Sequence, residues 1–176
     1  MSSTKSTAFF VLLLFSTIVP AVQAQTLERG RHWLAGTVAG GGGLHLEGGD
    51  EVGALLSGLR IGYGVTEHLR LQIESPSWFG LRQNHPYAIG AFLSPEIFLT
   101  DSFFLRPEGG WLFGRVDTSN GKLTTGHGFG AGLAAGFEAA VAPHGAIGPE
   151  VRFNYARIGG GNHLLYGILL AANWYF

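Results

Sequence analysis

Charged residues recur at two-residue spacing along this chain, and their types are the ones that could do chemistry. Four arginines and five glutamates share one phase of the alternation, and three of the glutamates directly follow a proline. Paired carboxylates can act as general acid and base, as in a glycosidase. Carboxylates and guanidiniums confined together can instead neutralise one another. The set comprises Arg60, Arg70, Glu74, Glu96, Arg106, Glu108, Glu138, Glu150 and Arg152.

The elements that must position these residues are β-strands, because alternation rather than helical periodicity dominates from Arg31 onward. The opposite phase is apolar and includes Arg157 as its only charged residue. We predict eight antiparallel strands joined by hairpins, at about 32–40, 52–65, 68–74, 87–99, 103–114, 127–141, 147–157 and 163–176. Short turns alternate with longer loops, which are predicted at 41–51, 75–86 and 115–126.

Composition restricts the function classes. The chain has 176 residues, 29 of them glycine, only 13% charged residues, a net charge of −1 and no cysteine. One domain is expected, and neither nucleic-acid binding nor thiolate chemistry is indicated. The first 24 residues read as a signal peptide, with Lys5, an apolar stretch at 8–19 and small residues before Gln25. We therefore expect a cleaved leader at 1–24 and a barrel at 25–176.

Two all-β architectures fit this pattern. A secreted lipocalin-like barrel buries its apolar face, whereas a transmembrane barrel turns that face to lipid and its charges to the lumen. The aromatic residues favour the second. Trp33, Tyr63, Phe103, Trp174 and Phe176 lie beside the short turns or the termini, whereas Tyr87, Phe113, Phe129, Tyr155 and Tyr166 lie nearer the long loops. Two such bands correspond to the two membrane interfaces.

The final strand carries a family resemblance. It reads HLLYGILLAANWYF, with Tyr166, Leu170, Trp174 and a terminal Phe176 in the apolar phase. This pattern resembles the assembly signal of bacterial outer-membrane β-barrels, and the whole chain resembles the small OmpA and OmpX type. The resemblance implies residence in the cell outer membrane and contact with its lipid, with lipopolysaccharide and with the barrel-assembly machinery. We expect a monomer, with Phe176 at the periplasmic rim.

The interior of an eight-stranded barrel is just wide enough for side chains to fill. We therefore predict that the inward charges form an ion-paired plug in a non-enzymatic protein with a structural role or one mediated by its loops. A narrow channel or carrier is the alternative. Inward glycines at 128, 130, 132 and 136 could leave a vestibule on the outer side of the plug, although we favour their making room for Arg side chains or relieving curvature.

Other chemistry is weakly supported. His45, His85, His127 and His163 fall near the loops beside Glu47, Asp50 and Glu51, but without a metal-ligand spacing, so we expect solvated loop histidines, no metal and no cofactor. Outer-membrane lipid A deacylases carry a His-x-Ser-Asn stretch late in the chain. The similar place here reads RFNYAR at 152–157, without the His and Ser that hydrolysis needs. A lipid-modifying enzyme is therefore disfavoured, and no catalytic residue is predicted.

Overall fold

The computed structural model describes residues 29–47, 50–82, 85–117 and 123–176. The predicted leader at 1–24 lies outside these residues. No helix in the described ranges is long and apolar enough to cross a membrane. The strands of the described residues are β1 Trp33–His45, β2 Glu51–Thr66, β3 Leu69–Gly80, β4 Tyr87–Phe98, β5 Phe103–Asp117, β6 Leu123–Phe137, β7 Ala139–Ala142, β8 Gly145–Ile158 and β9 Gly161–Tyr175.

These strands close into an antiparallel barrel. Neighbours in sequence pair from β1 to β6, β8 pairs with β9, and β9 returns to β1, with Leu34 opposite Tyr175. β8 pairs with β6 along most of its length and with β7 near its start. β6 and β7 thus share one of eight positions around the barrel, which confirms the predicted fold class.

Prolines mark the places where the hydrogen-bonded ladder is interrupted. The pairing of β4 with β5 stops at Leu93 and resumes at Ile97, and the register places Pro95 opposite Pro107 in the gap. Pro149 of β8 lies opposite the break between β6 and β7. Because proline has no N–H to donate, each of these residues removes one bond of the ladder. The three Pro-Glu pairs of the sequence therefore coincide with local openings of the sheet.

The barrel has two distinct ends. The turn end carries the connections 67–68, 99–102 and 143–144, and the loop end carries 46–50, 81–86, 118–122 and 159–160. Several strands reach further toward the loop end than predicted. β1 continues through the glycines to His45, β3 continues to Gly80, and β5 and β6 extend to Asp117 and from Leu123. About half of the residues in the predicted long loops are therefore strand, and the connections that remain at the loop end are short.

Side chains alternate strictly between the two faces. The outward face is exposed and apolar, with Leu59 at 70%, Phe129 at 67% and Ile168 at 66% exposure. The inward face has two layers. Charged residues occupy the half toward the turn end, together with a small apolar cluster of Leu34, Ala146 and Tyr175, and a larger apolar layer that includes Trp78, Phe92 and Leu112 occupies the half toward the loop end.

Candidate functional site

The candidate site is the charged layer of the interior, which we call the lumen network. All nine predicted charged residues point inward, and each is at most 5% exposed. They come from β2, β3, β4, β5 and β8, with Glu138 at the break between β6 and β7. Since each strand turns alternate residues inward, a two-residue spacing is sufficient to bring the charges of distant segments into one space.

Arg106 is the centre of this network. Its guanidinium donates to Glu96 at 3.1 Å and to Glu108 at 3.4 Å, and it also donates to Glu150. A fourth carboxylate, that of Glu74, lies 3.6 Å away. The Arg106 guanidinium also lies 5.7 Å from the centre of the Phe104 ring. Through its four carboxylate neighbours, this one cation connects its own strand with three others.

Two further arginines complete the middle of the lumen network. Arg60 lies 3.1 Å from both Glu74 and Glu150. Arg152 lies 2.6 Å from Glu74, 2.8 Å from Glu150 and 3.3 Å from Glu108. Each of these three carboxylates therefore faces at least two guanidiniums. Such sharing offsets the cost of burying charge, which an isolated ion pair often fails to do.

Toward the turn end, Glu138 accepts hydrogen bonds from polar groups of β9 and β3. It accepts hydrogen bonds from the Tyr175 hydroxyl and the Asn173 amide of β9, both at 2.7 Å. Arg70 donates to Glu138 at 3.3 Å and also donates to Glu96, which links this corner to Arg106. The last strand is thus tied to the lumen network through its inward polar residues.

A tenth member, Arg29, was missed by the sequence analysis because it precedes the first predicted strand. Its Nε donates to Glu138 at 2.8 Å, its Nη2 donates to the Asp101 carbonyl at 2.7 Å, and its guanidinium lies 4.3 Å from the Phe98 ring centre. The main-chain N–H of Arg29 donates to the Glu67 carboxylate at 3.0 Å. The predicted set has one more glutamate than arginine, and this excess was the feature of the sequence that could have indicated a further cation. With Arg29 the lumen network contains five arginines and five glutamates.

The vestibule that the inward glycines could have left, which was the less favoured alternative, is absent from the described interior. The half toward the loop end is filled by the apolar layer, in which Trp78 and Phe92 pack with ring centroids 6.3 Å apart. A methyl group added at Gly130 would lie 2.8 Å from Leu112 and 3.1 Å from Phe92. The glycines at 128, 130, 132 and 136 therefore lie against neighbouring backbone or against side chains such as Leu112, Phe92 and Phe104, and none of them lies against an arginine side chain.

The carboxylates of the site are shared among arginines, and its described residues form no metal-ligand group. Every carboxylate of the lumen network has a guanidinium within 4.0 Å, as expected for an ion-paired plug. Asn154, in the stretch compared with lipid A deacylases, donates to Glu108 at 2.7 Å. Across the described ranges no group of three or more His, Asp or Glu side chains could hold a metal ion. His163 differs from the expectation of a solvated loop residue, because it points inward and is buried.

The residues of the predicted assembly signal lie on the opposite surface. Leu170 and Trp174 are exposed on the outward face of β9, and Tyr166 is partly exposed there. Phe176 exchanges two main-chain hydrogen bonds with Trp33, at 2.8 and 3.0 Å. These bonds and the register of β9 with β1 place the four residues beside the seam that joins the first and last strands. Their role in assembly stays a prediction.

Comparison with known proteins identifies the architecture. No protein-family model and no curated protein matches the chain. The crystal structure of Neisserial surface protein A (NspA) superposes with a TM-score of 0.62 at 17% identity, covering 82% of this chain and 97% of that one. Ail, the attachment invasion locus protein of Yersinia pestis, superposes with a TM-score of 0.58 at 13% identity, covering 84% and 99%. Its complex with the heparin analogue sucrose octasulfate gives 0.52 at 11% identity, covering 83% and 99%.

Proposed function

We propose that this chain, which has the fold of the small eight-stranded outer-membrane β-barrels, is an integral protein of the outer membrane with a closed lumen. Its role is non-enzymatic and depends on the barrel itself and on its outer rim. The loop end faces the outside and the turn end faces the periplasm, as in bacterial outer-membrane barrels.

The observation that carries this proposal is the inversion of the two faces. Large apolar side chains such as Leu59, Leu133 and Phe153 are at least half exposed, whereas the lumen network is buried. In water such a surface would drive aggregation, since soluble monomers rarely expose apolar patches of this extent. In a bilayer the same surface contacts hydrocarbon. Apart from the four-residue β7, the strands have 12 to 16 residues, which exceeds the roughly 9–11 residues that a tilted strand needs to span the bilayer.

The filled interior supports a closed barrel over a narrow channel or carrier. The lumen network and the apolar layer lie in series along the barrel axis, so either layer alone would obstruct water and ions. The rim formed by the loop end is short, and it therefore supports contact through strand ends rather than through long mobile loops. The stretch 152–157 lacks the His and Ser of the lipid A deacylases, which does not favour a lipid-modifying reaction.

Planar-bilayer recording tests the closed lumen. We expect no conductance steps for the wild type, and none for Arg152→Ala, because the apolar layer around Trp78 remains. The double variant Arg106→Ala/Trp78→Ala opens both layers and should give steps. Leu133→Ala, which changes only the outward face, serves as the matched control. Steady conductance of the wild type would overturn the closed-lumen proposal, and a detergent-independent soluble monomer would overturn membrane residence.

A further inference from the structure

Three basic side chains occupy adjacent strands on the outward face at the loop end. Arg115 lies on β5, His127 on β6 and Arg157 on β8, and all three are exposed. In the register Arg115 is opposite Thr125 and Arg157 is opposite Phe129, so His127 lies between them along β6. We call these three residues the basic rim.

The charge of the basic rim is not neutralised by its described neighbours. Five of the other arginines are buried in the lumen network, and Arg82 pairs with Asp50 at 2.6 Å. No ion pair joins Arg115 or Arg157 to a carboxylate among the side chains that the structure describes. The side of the loop end above β1 and β2 is different, since Glu51 there accepts a hydrogen bond from the Tyr166 hydroxyl. Within the described ranges, unpaired positive charge at the loop end is thus concentrated on one side.

Aromatic residues fix the depth of the basic rim. Trp111 stacks on the His127 ring with centroids 5.0 Å apart and meets Phe129 edge-on at 4.5 Å. The Tyr155 hydroxyl, two residues before Arg157, donates to Asn162 at 2.7 Å. Exposed Trp and Tyr side chains mark the interface between hydrocarbon and headgroups. The guanidiniums therefore lie at the level of the outer-leaflet headgroups, with apolar surface directly below.

We propose that the basic rim binds the phosphorylated disaccharide of lipopolysaccharide, and that Arg115 and Arg157 each hold one of its phosphates. Arginine forms strong, charge-assisted hydrogen bonds to phosphate oxygens. Two strand spacings and four residues of rise separate the two backbone positions by about 16 Å, which suits two separate phosphates better than a single one. The acyl chains then run along Phe129, Leu133 and Phe153. The proposal rests on the membrane residence proposed above.

The test uses the full mature chain refolded in detergent micelles free of lipopolysaccharide. Native mass spectrometry measures binding of diphosphorylated lipid A and of the same lipid with both phosphates removed, and inorganic phosphate is added as a competitor. Arg115→Gln/Arg157→Gln removes the site, and Arg82→Gln is the matched control, since it removes another loop-end cation. Heat-modifiable migration in gel electrophoresis confirms that each variant is folded.

We expect the double variant to bind diphosphorylated lipid A at least about tenfold more weakly, or about 1.4 kcal/mol, with binding of the dephosphorylated lipid unchanged. The Arg82→Gln variant should match the wild type. Equal binding of both lipids by the wild type, an equal loss in Arg82→Gln, or displacement of lipid A by millimolar inorganic phosphate would each overturn the proposal. If the wild type inserts into liposomes but binds diphosphorylated and dephosphorylated lipid A equally, only this inference is wrong. If it does not insert, the proposed function falls first.

Discussion

Replacing Arg106 by methionine is the most direct test of whether the lumen network stabilises the barrel. Methionine retains much of the length of the side chain and removes the charge. Arg106 contacts four carboxylates, and its loss changes the interior from five arginines and five glutamates to a surplus of one negative charge. The substitution therefore keeps most of the space of the side chain filled and changes mainly the charge of the interior.

The expected cost follows from what remains around each carboxylate. Glu96 keeps Arg70, and Glu108 keeps Arg152. Glu150 keeps Arg152 at 2.8 Å as well as a second arginine. Removing one partner of a buried pair costs about 3–5 kcal/mol, and these remaining contacts place Arg106→Met near the lower end, at about 3 kcal/mol.

A second substitution separates charge from packing. Glu150→Gln in the Arg106→Met background restores a neutral interior, and coupled neighbours typically interact by about 0.5–3 kcal/mol. We therefore expect the loss of unfolding free energy in the double variant to be smaller than the sum of the losses in Arg106→Met and in Glu150→Gln. Arg115→Met is the control, since it removes an exposed arginine outside the network, and it should change stability little.

The assay is reversible urea unfolding in liposomes, followed by tryptophan fluorescence and by gel migration. The four variants of the cycle are compared at one pH and one salt concentration. A loss below about 1 kcal/mol for Arg106→Met would refute the view that a buried charge imbalance is costly here. Strict additivity of the two substitutions would refute the coupling, and would mean that the two side chains contribute independently.

Three further outcomes are expected. Arg29→Ala should lower the free energy of unfolding by about 1.5–3 kcal/mol, because Glu138 loses a charged donor; unchanged urea midpoints would contradict this. Deletion of Phe176 should impair insertion in cells more than it lowers the stability of the refolded barrel, since only its two main-chain bonds to Trp33 are lost; normal insertion would contradict the assembly signal. Leu133→Arg should cost about 2–4 kcal/mol in liposomes if the outward face contacts the bilayer midplane, and a negligible cost would argue against it.

The alternation of residue types was enough to predict the strands and the face that each side chain occupies, because a strand has a strict two-residue period. Strand ends were harder. The glycines at 40–43 have weak strand propensity, yet they pair with both neighbouring strands. A methyl group added at Gly40 or Gly42 would lie 2.0 or 1.9 Å from a carbonyl oxygen of β9, so close approach requires glycine there.

The interior showed a second difference between pattern and structure. Trp78 fell in a predicted loop, because the preceding Ser75 and Pro76 are typical of turns. In the structure β3 continues past both residues, and Trp78 is fully buried. Alternation identifies inward positions, but it does not show which of them share a level of the barrel. Neither the separation into two layers nor the contribution of Arg29 follows from spacing alone.

The balance of the lumen network has a consequence for how the barrel is completed. Up to the end of β4 the chain supplies three arginines and two glutamates to the interior, and the remainder supplies two arginines and three glutamates. The two halves of the chain therefore carry interior charges of +1 and −1. A barrel made of two copies of the same half would bury a net charge of two in its interior, whereas a barrel made of the two different halves has a neutral interior. The interior charges therefore favour a barrel made of one N-terminal and one C-terminal half. If the chain is split within 99–102, the two fragments should reconstitute a barrel only when they are mixed.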